Sequence, residues 1–167
     1  MRDDVAVRPV AILIATFALV VSGCKSQPAP VDLSALHGTA LDGVSVGATQ
    51  SMAPVLVLNF FGSWCPPCQA EQDGFASLAD TYKKDGVAFV GIAEREDSRV
   101  NVRTFLLSHH VRYPVLYDDN AQLELRVAPQ VAIPTTLIFR SGKLLKRLYG
   151  TVEYSELRDT IQMALRG

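Results

Sequence analysis

The run Val55-Leu56-Val57-Leu58-Asn59-Phe60-Phe61 is followed, after Gly62-Ser63-Trp64, by Cys65-Pro66-Pro67-Cys68, and this junction limits the fold more than any other stretch of the chain. The run is continuous and rich in β-branched and aromatic residues, so it reads as a strand buried on both faces, with layers above and below its sheet. Two successive prolines then end strand pairing, yet they suit the first turn of a helix, where amides lack helical partners anyway. From there to Lys84, apolar residues recur at Phe75, Leu78, Ala79 and Tyr82 with helical spacing, and Gly86 provides the stop. A buried strand must therefore turn directly into a helix with a cysteine pair at the turn.

The rest of the chain extends this alternation. Val87 to Ala93 reads as a second buried strand, Val100 to His109 as a helix and Arg112 to Tyr117 as a third extended piece. Asn120 to Val127 reads as a short helix capped by Asn120. Thr135 to Phe139 and Lys143 to Tyr149 flank Ser141-Gly142 as an antiparallel hairpin, and Ser155 to Leu165 places Leu157, Ile161, Ala164 and Leu165 on one face of a terminal helix. Upstream, Asp42-Gly43 within Ala40 to Val46 signals another hairpin. This order predicts an α/β fold: a mixed central sheet with helices on both faces and an N-terminal β-hairpin. At 167 residues, 49% hydrophobic and 20% charged, the chain has enough apolar material for one core. Sixteen basic against seventeen acidic residues create no field that would draw a nucleic acid.

The N-terminus has a different character. Arg2 and Arg8 precede an apolar stretch from Val10 to Val21 that ends in Ser22-Gly23-Cys24, the three-part layout of an export signal. As a helix this stretch would span about 18 Å, short of the roughly 30 Å hydrocarbon core, so it does not read as a permanent anchor. Val21-Ser22-Gly23-Cys24 resembles the lipobox of bacterial lipoproteins, which implies lipidation at Cys24. The expected organisation is a signal peptide over 1–23, the lipid-anchored cysteine and linker over 24–37, and the folded domain over 38–167. Lipidation also resolves the cysteine count: of three cysteines, the pair Cys65 and Cys68 is left.

That pair has the spacing of dithiol chemistry. Cysteines three apart at the start of a helix share a face, so the Cys65–Cys68 disulfide needs little backbone movement. Cys65, as the expected N-cap, has its thiolate favoured by the helix N-terminus and is the attacking nucleophile; Cys68, a turn further in, resolves the mixed disulfide. Pro67 removes an amide that would otherwise serve the N-cap, which leaves mainly that of Cys68 and predicts a thiolate less stabilised than in a strong oxidant. A zinc site would need two more ligands, and Cys24, His37, His109 and His110 form no second paired motif, so neither metal nor cofactor is expected. Pro134, between Ile133 and Thr135-Thr136, cannot sit in a central ladder and marks a special turn.

Trp64-Cys65-Pro66-Pro67-Cys68, the strand before it, Ile133-Pro134-Thr135-Thr136 and Ser141-Gly142-Lys143 together resemble the thioredoxin superfamily, in particular its extracytoplasmic TlpA/ResA/CcmG-like branch. The resemblance covers about Gly38 to the C-terminus. It implies a thioredoxin fold with a βα insertion between about Arg99 and Tyr117, and a cis Ile133-Pro134 peptide lying against the dithiol, where the backbone of Ile133 can meet a client chain. Where plain thioredoxin has a buried aspartate, this chain has Asn59, which cannot titrate. The branch often carries an acidic residue at the end of the next strand, which makes Glu94 and Glu96 the candidates for accepting the Cys68 proton. Glu71 reads instead as facing solvent or favouring the helix N-terminus.

The resemblance implies a membrane-tethered reductase of disulfide-containing exported proteins, apocytochrome c among them, supplied with electrons by a membrane thiol donor. Two alternatives are an oxidase that forms disulfides in secreted proteins and a non-catalytic client-binding module or metallochaperone.

Overall fold

The computed structural model describes residues 30–129 and 131–167. The expected signal peptide, Cys24 and the linker up to residue 29 lie outside the described residues. Five strands form one sheet in the order β5-β4-β3-β6-β7: β3 (Val55–Phe61), β4 (Val87–Glu94), β5 (Val115–Asp118), β6 (Thr135–Arg140) and β7 (Lys143–Tyr149). The apolar run that becomes β3 takes the central place. It pairs in parallel with β4 from Val55↔Val87 to Phe61↔Ala93, and antiparallel with β6 from Val55↔Arg140 to Phe60↔Thr135. A separate hairpin joins β1 (Gly38–Thr39) to β2 (Ser45–Val46).

Because side chains alternate along a strand, β3 and β4 supply two cores. Val55, Val57, Phe61, Phe89 and Ala93 face α2 (Pro66–Tyr82), α3 (Arg99–Ser108) and α5 (Tyr154–Arg166), and the two site cysteines belong to this core. Leu56, Leu58, Phe60, Val90 and Ile92 face α4 (Gln122–Val127) and the N-terminal segment, with Leu36 packed among them. Fully burying one such large apolar side chain contributes on the order of 2 kcal/mol, so both layers are needed. Gly91 is a glycine because the layers close on it: a Cβ there would stand 3.0 Å from both Phe61 Cε1 and Val115 Cγ2.

Several boundaries differ from the sequence expectation for local reasons. A four-residue helix, α1 (Ala48–Ser51), follows the hairpin and carries no periodic signal. Helix α3 starts at Arg99 because Ser98 caps it by accepting from the Val100 N–H. The helix expected from Asn120 starts at Gln122: Ala121 is left-handed, with φ 57°, Asn120 Oδ1 accepts from Gln122 N, and the buried Asp118 carboxylate takes the Glu124 N–H at 2.8 Å. In β7, pairing shifts between Ile138↔Lys146 and Phe139↔Leu144, leaving Leu145 as a bulge. No helix among the described residues is long and apolar enough to cross a membrane.

Candidate active site

The end of β3 positions the site. The chain leaves Phe61 through Gly62 and Ser63, exposes Trp64, and enters α2 with Cys65 as N-cap and Pro66 and Pro67 at the first two helical positions. Cys65 and Cys68 are disulfide-bonded with Cα atoms 5.2 Å apart; Cys65 is 4% exposed and Cys68 is fully buried. Cys65 Sγ accepts from the Cys68 N–H at 3.4 Å. Pro67 has no N–H to offer, and its carbonyl instead accepts from Thr151 Oγ1 at 3.4 Å, which ties the helix start to the segment after β7.

The Ile133-Pro134 peptide is cis. Since Thr135 pairs with Phe60, the peptide lies beside the end of β3 from which the dithiol loop departs. The Pro134 carbonyl accepts from Gly150 N at 2.9 Å, the Thr135 hydroxyl donates to the Ala132 carbonyl, and Ile133 packs against both cores.

Beneath the dithiol runs a buried polar chain. Asn59 Nδ2 donates to Glu71 Oε1 at 3.0 Å and to Thr136 Oγ1 at 3.2 Å. Gln72 Nε2 donates to Asn59 Oδ1 at 3.0 Å, and the Tyr113 hydroxyl donates to Gln72 Oε1 at 2.8 Å. The second Glu71 oxygen accepts from Val152 N at 2.9 Å. Glu71 therefore does not face solvent as expected: it is 3% exposed. Its inward stripe is Cys68, Glu71, Gln72 and Phe75, spaced i, i+3, i+4 and i+7; tracing the stripe through apolar residues alone hides its polar half, and this spacing is the signal that would have found Glu71. Burial raises its carboxyl to about 7, against the Val152 and Asn59 hydrogen bonds that favour the charged form. Burial, together with the nearby Glu71 charge, also pushes the Tyr113 hydroxyl upward, which keeps it a donor.

The two expected proton acceptors separate. Glu94 does not stand on the dithiol face. It points the same way as Val90 and Ile92, four and two positions before it, which belong to the opposite core, so a full sheet layer divides it from Cys68. Glu96 does reach the dithiol loop, but its oxygens hold Ser63: Oε1 accepts from the Ser63 N–H and Oε2 from Ser63 Oγ at 2.7 Å. Gln69 Nε2 donates to the Ser63 carbonyl at 2.9 Å from the other side. The Tyr117 hydroxyl donates to the Glu96 carbonyl at 2.8 Å, and the Arg99 guanidinium lies 4.3 Å from the Tyr117 ring centroid.

Trp64 lies back over Gly62, where a Cβ would stand 2.8 Å from indole Cε2, and its Nε1 donates to the Arg95 carbonyl at 3.2 Å. The indole stays 54% exposed beside Cys65. His109 and His110 lie away from this constellation: His109 caps α3 and meets Asp73 at 2.9 Å. No group of three or more His, Cys, Asp or Glu among the described residues could hold a metal ion.

A thioredoxin fold whose N-capping cysteine is bonded to a second cysteine one turn inside the helix, with a cis-proline turn alongside, defines the class of thiol–disulfide oxidoreductases. Within that class the chain belongs to the Redoxin family, whose model matches residues 20–161. It is 34% identical over 111 residues to thiol-disulfide oxidoreductase ResA of Bacillus subtilis, a match that spans 66% of this chain and 61% of that protein's length. Another ResA, from Bacillus thuringiensis subsp. konkukian, is 24% identical over 125 residues, 74% of this chain and 71% of that protein. Among solved structures, a thiol:disulfide interchange protein of the thioredoxin family from Chlorobium tepidum superposes with a TM-score of 0.70 at 24% identity, covering 83% of this chain and 95% of that one; this likeness is one of fold.

Proposed function

We propose that the chain is an exported, membrane-tethered reductase of protein disulfides. The observation that carries the direction of electron flow is the first turn of α2, where Pro66 and Pro67 leave Cys65 Sγ the Cys68 N–H as its backbone donor. A thiolate held by fewer donors is less stabilised, and a less stabilised reduced form is a better reductant. The clients are disulfide-containing exported proteins, with apocytochrome c the client the family resemblance suggests. Electrons come from a membrane thiol donor. The export layout of residues 1–23 and the lipobox-like Cys24 motivate the location, outside the cytoplasm and anchored by the acylated cysteine, with the folded domain over 38–167.

In the reductive half-reaction the Cys65 thiolate attacks one sulfur of the client disulfide, forming a mixed disulfide and expelling a client thiolate that takes up a proton. Cys68 then loses its proton and attacks Cys65 Sγ. The Cys65–Cys68 bond forms, the second client thiol leaves, and two electrons have passed to the client. Glu71 is the carboxylate one turn below Cys68 on the same helical face, and burial brings it to about 7, the range in which a group both accepts and returns a proton near neutral pH. Glu96 fixes the loop that carries Cys65, Trp64 and Ile133 offer apolar surface and backbone to the client beside the cis Pro134, and Pro67 tunes the thiolate.

The reduction potential of the purified domain tests this reading. A value near the roughly −270 mV of thioredoxin is expected, and one near the roughly −120 mV of a strong oxidant would overturn reduction in favour of disulfide formation.

A further inference from the structure

On the face of the sheet opposite the dithiol, Glu94 ends β4 with no solvent exposure, and neither of its carboxylate oxygens receives a hydrogen bond. Three charged groups face it. Glu124 comes from α4 and is 2% exposed, Asp118 pairs with Glu94 in the β4–β5 register, and Arg95 is the next residue of its own chain. The remaining neighbours on this face include Val90, Ile92, Leu123 and Val127. Asp118 is engaged in capping α4, and Arg95 Nη2 approaches Glu124 Oε2 at 2.9 Å but Glu94 Oε2 only at 3.9 Å. Two buried carboxylates against one half-exposed guanidinium leave an uncompensated charge, and a single proton removes it by turning Glu94 into a donor toward Glu124. Burial, followed by the Glu124 charge, pushes the Glu94 carboxyl up to about 9.

Arg95 connects this pair to the redox site. Its backbone is left-handed, with φ 53°, a conformation that disfavours any residue carrying a Cβ and persists only when its surroundings hold it. Three contacts do so: its N–H donates to the Asp118 carbonyl at 3.0 Å, its guanidinium to Glu124, and its carbonyl accepts the Trp64 indole N–H. The residue after it is Glu96, which holds Ser63. Whatever moves Arg95 therefore moves two of the supports of the loop in front of Cys65, leaving the Gln69 contact to the Ser63 carbonyl.

We propose that Glu94 keeps a proton that it donates toward Glu124, and that the two, by fixing Arg95, act as positioning residues for Trp64 from the far side of the sheet. Loss of the proton places a second negative charge beside Glu124, draws the guanidinium off its present partner and releases the Arg95 carbonyl from the indole. The redox site of this chain is then linked to an acid pair that touches neither cysteine. The linkage rests on the redox reading only for the use made of Trp64.

Trp64 is the single tryptophan, so its emission reports this contact directly. The full-length protein is titrated in its oxidised form, where neither Cys65 nor Cys68 ionises. The expected result is an alkaline transition in Trp64 emission with a midpoint near 9, absent from Glu94→Gln, whose amide keeps a donor toward Glu124. Tyrosine ionisation contributes equally to both and cancels in the difference. Glu124→Gln, which takes away the Arg95 carboxylate, is expected to show the alkaline emission already at neutral pH. Superimposable pH profiles for the wild type and Glu94→Gln, or unchanged emission in Glu124→Gln, would overturn the proposal. Should Glu94→Gln fail to fold, acrylamide quenching of wild-type Trp64 decides: quenching that rises across the transition supports the linkage, and quenching that stays constant overturns it. A failed transition leaves the redox reading standing, whereas an inactive dithiol leaves the emission result standing.

Discussion

Glu71 carries the most chemistry per atom beneath the dithiol, because both of its oxygens are engaged and its proton is held near neutrality. Glu71→Gln keeps the size and one acceptor oxygen, enough for either the Val152 N–H or the Asn59 amide but not both, and it cannot exchange a proton. The variant is expected to fold and to resolve mixed disulfides more slowly, with the pH dependence of resolution between about 5 and 8 flattened; stopped-flow release of a reduced peptide client checks this. A second residue-scale prediction concerns Gly62. Gly62→Ala places a methyl 2.8 Å from the Trp64 indole, so the ring must leave the Arg95 carbonyl. Its emission in the oxidised protein should change with little loss of stability, since the indole is half-exposed and has room to move. The cysteine pair is legible from spacing alone, whereas the buried carboxylate beneath it is not. Glu71 is hidden because a charged residue on a helix is ordinarily read as solvated, and its burial depends on Asn59 and Val152 arriving from distant parts of the chain.

At the scale of elements, the first turn of α2 sets the thiolate. Pro67→Ala restores an amide at the second helical position, where an N-cap side chain finds a donor. One added hydrogen bond to a charged group, about 1.5 kcal/mol, should raise the reduction potential by about 30 mV and lower the Cys65 pKa. Redox equilibration with glutathione and pH-dependent alkylation measure the two. Strand β4 has its own test: Gly91→Ala inserts a methyl between Phe61 and Val115, and overpacking of this kind costs about 1–3 kcal/mol in chemical denaturation. The long elements are those the sequence shows best. β3 and β4 are apolar but for Asn59 and the terminal Glu94, and α2 and α5 keep their period. What it hides are α1, too short to repeat, and the side of the sheet to which each acid turns. Glu94 and Glu96 differ by two positions, which in a continued strand would place them on one face, but the left-handed Arg95 breaks the alternation and sends them to different surroundings.

For the molecule as a whole, the two raised glutamates make stability depend on pH in one direction. Each is protonated in the folded state at a pH where the unfolded chain has already lost the proton, so the folded state binds more protons and stability falls as pH rises. The contribution is complete below the ordinary glutamate range, near 4.5. It declines up to about 7 for Glu71 and up to about 9 for Glu94. Thermal melting of the oxidised protein should therefore occur at higher temperature at pH 5 than at pH 9, with Glu94→Gln losing the dependence above pH 7. The sheet also has two outer strands, and they are protected differently. Beside β5, the Leu41 N–H donates to the Val115 carbonyl, so the N-terminal segment covers that strand. β7 is interrupted by its bulge at Leu145 and carries Lys143, Lys146 and Arg147. A kinked, positively charged rim is a poor template for strand addition by another copy. For a protein whose proposed clients arrive unfolded and rich in unpaired backbone, that rim discourages indiscriminate sheet extension and confines client capture to the other end of the fold, where sulfur chemistry makes it transient.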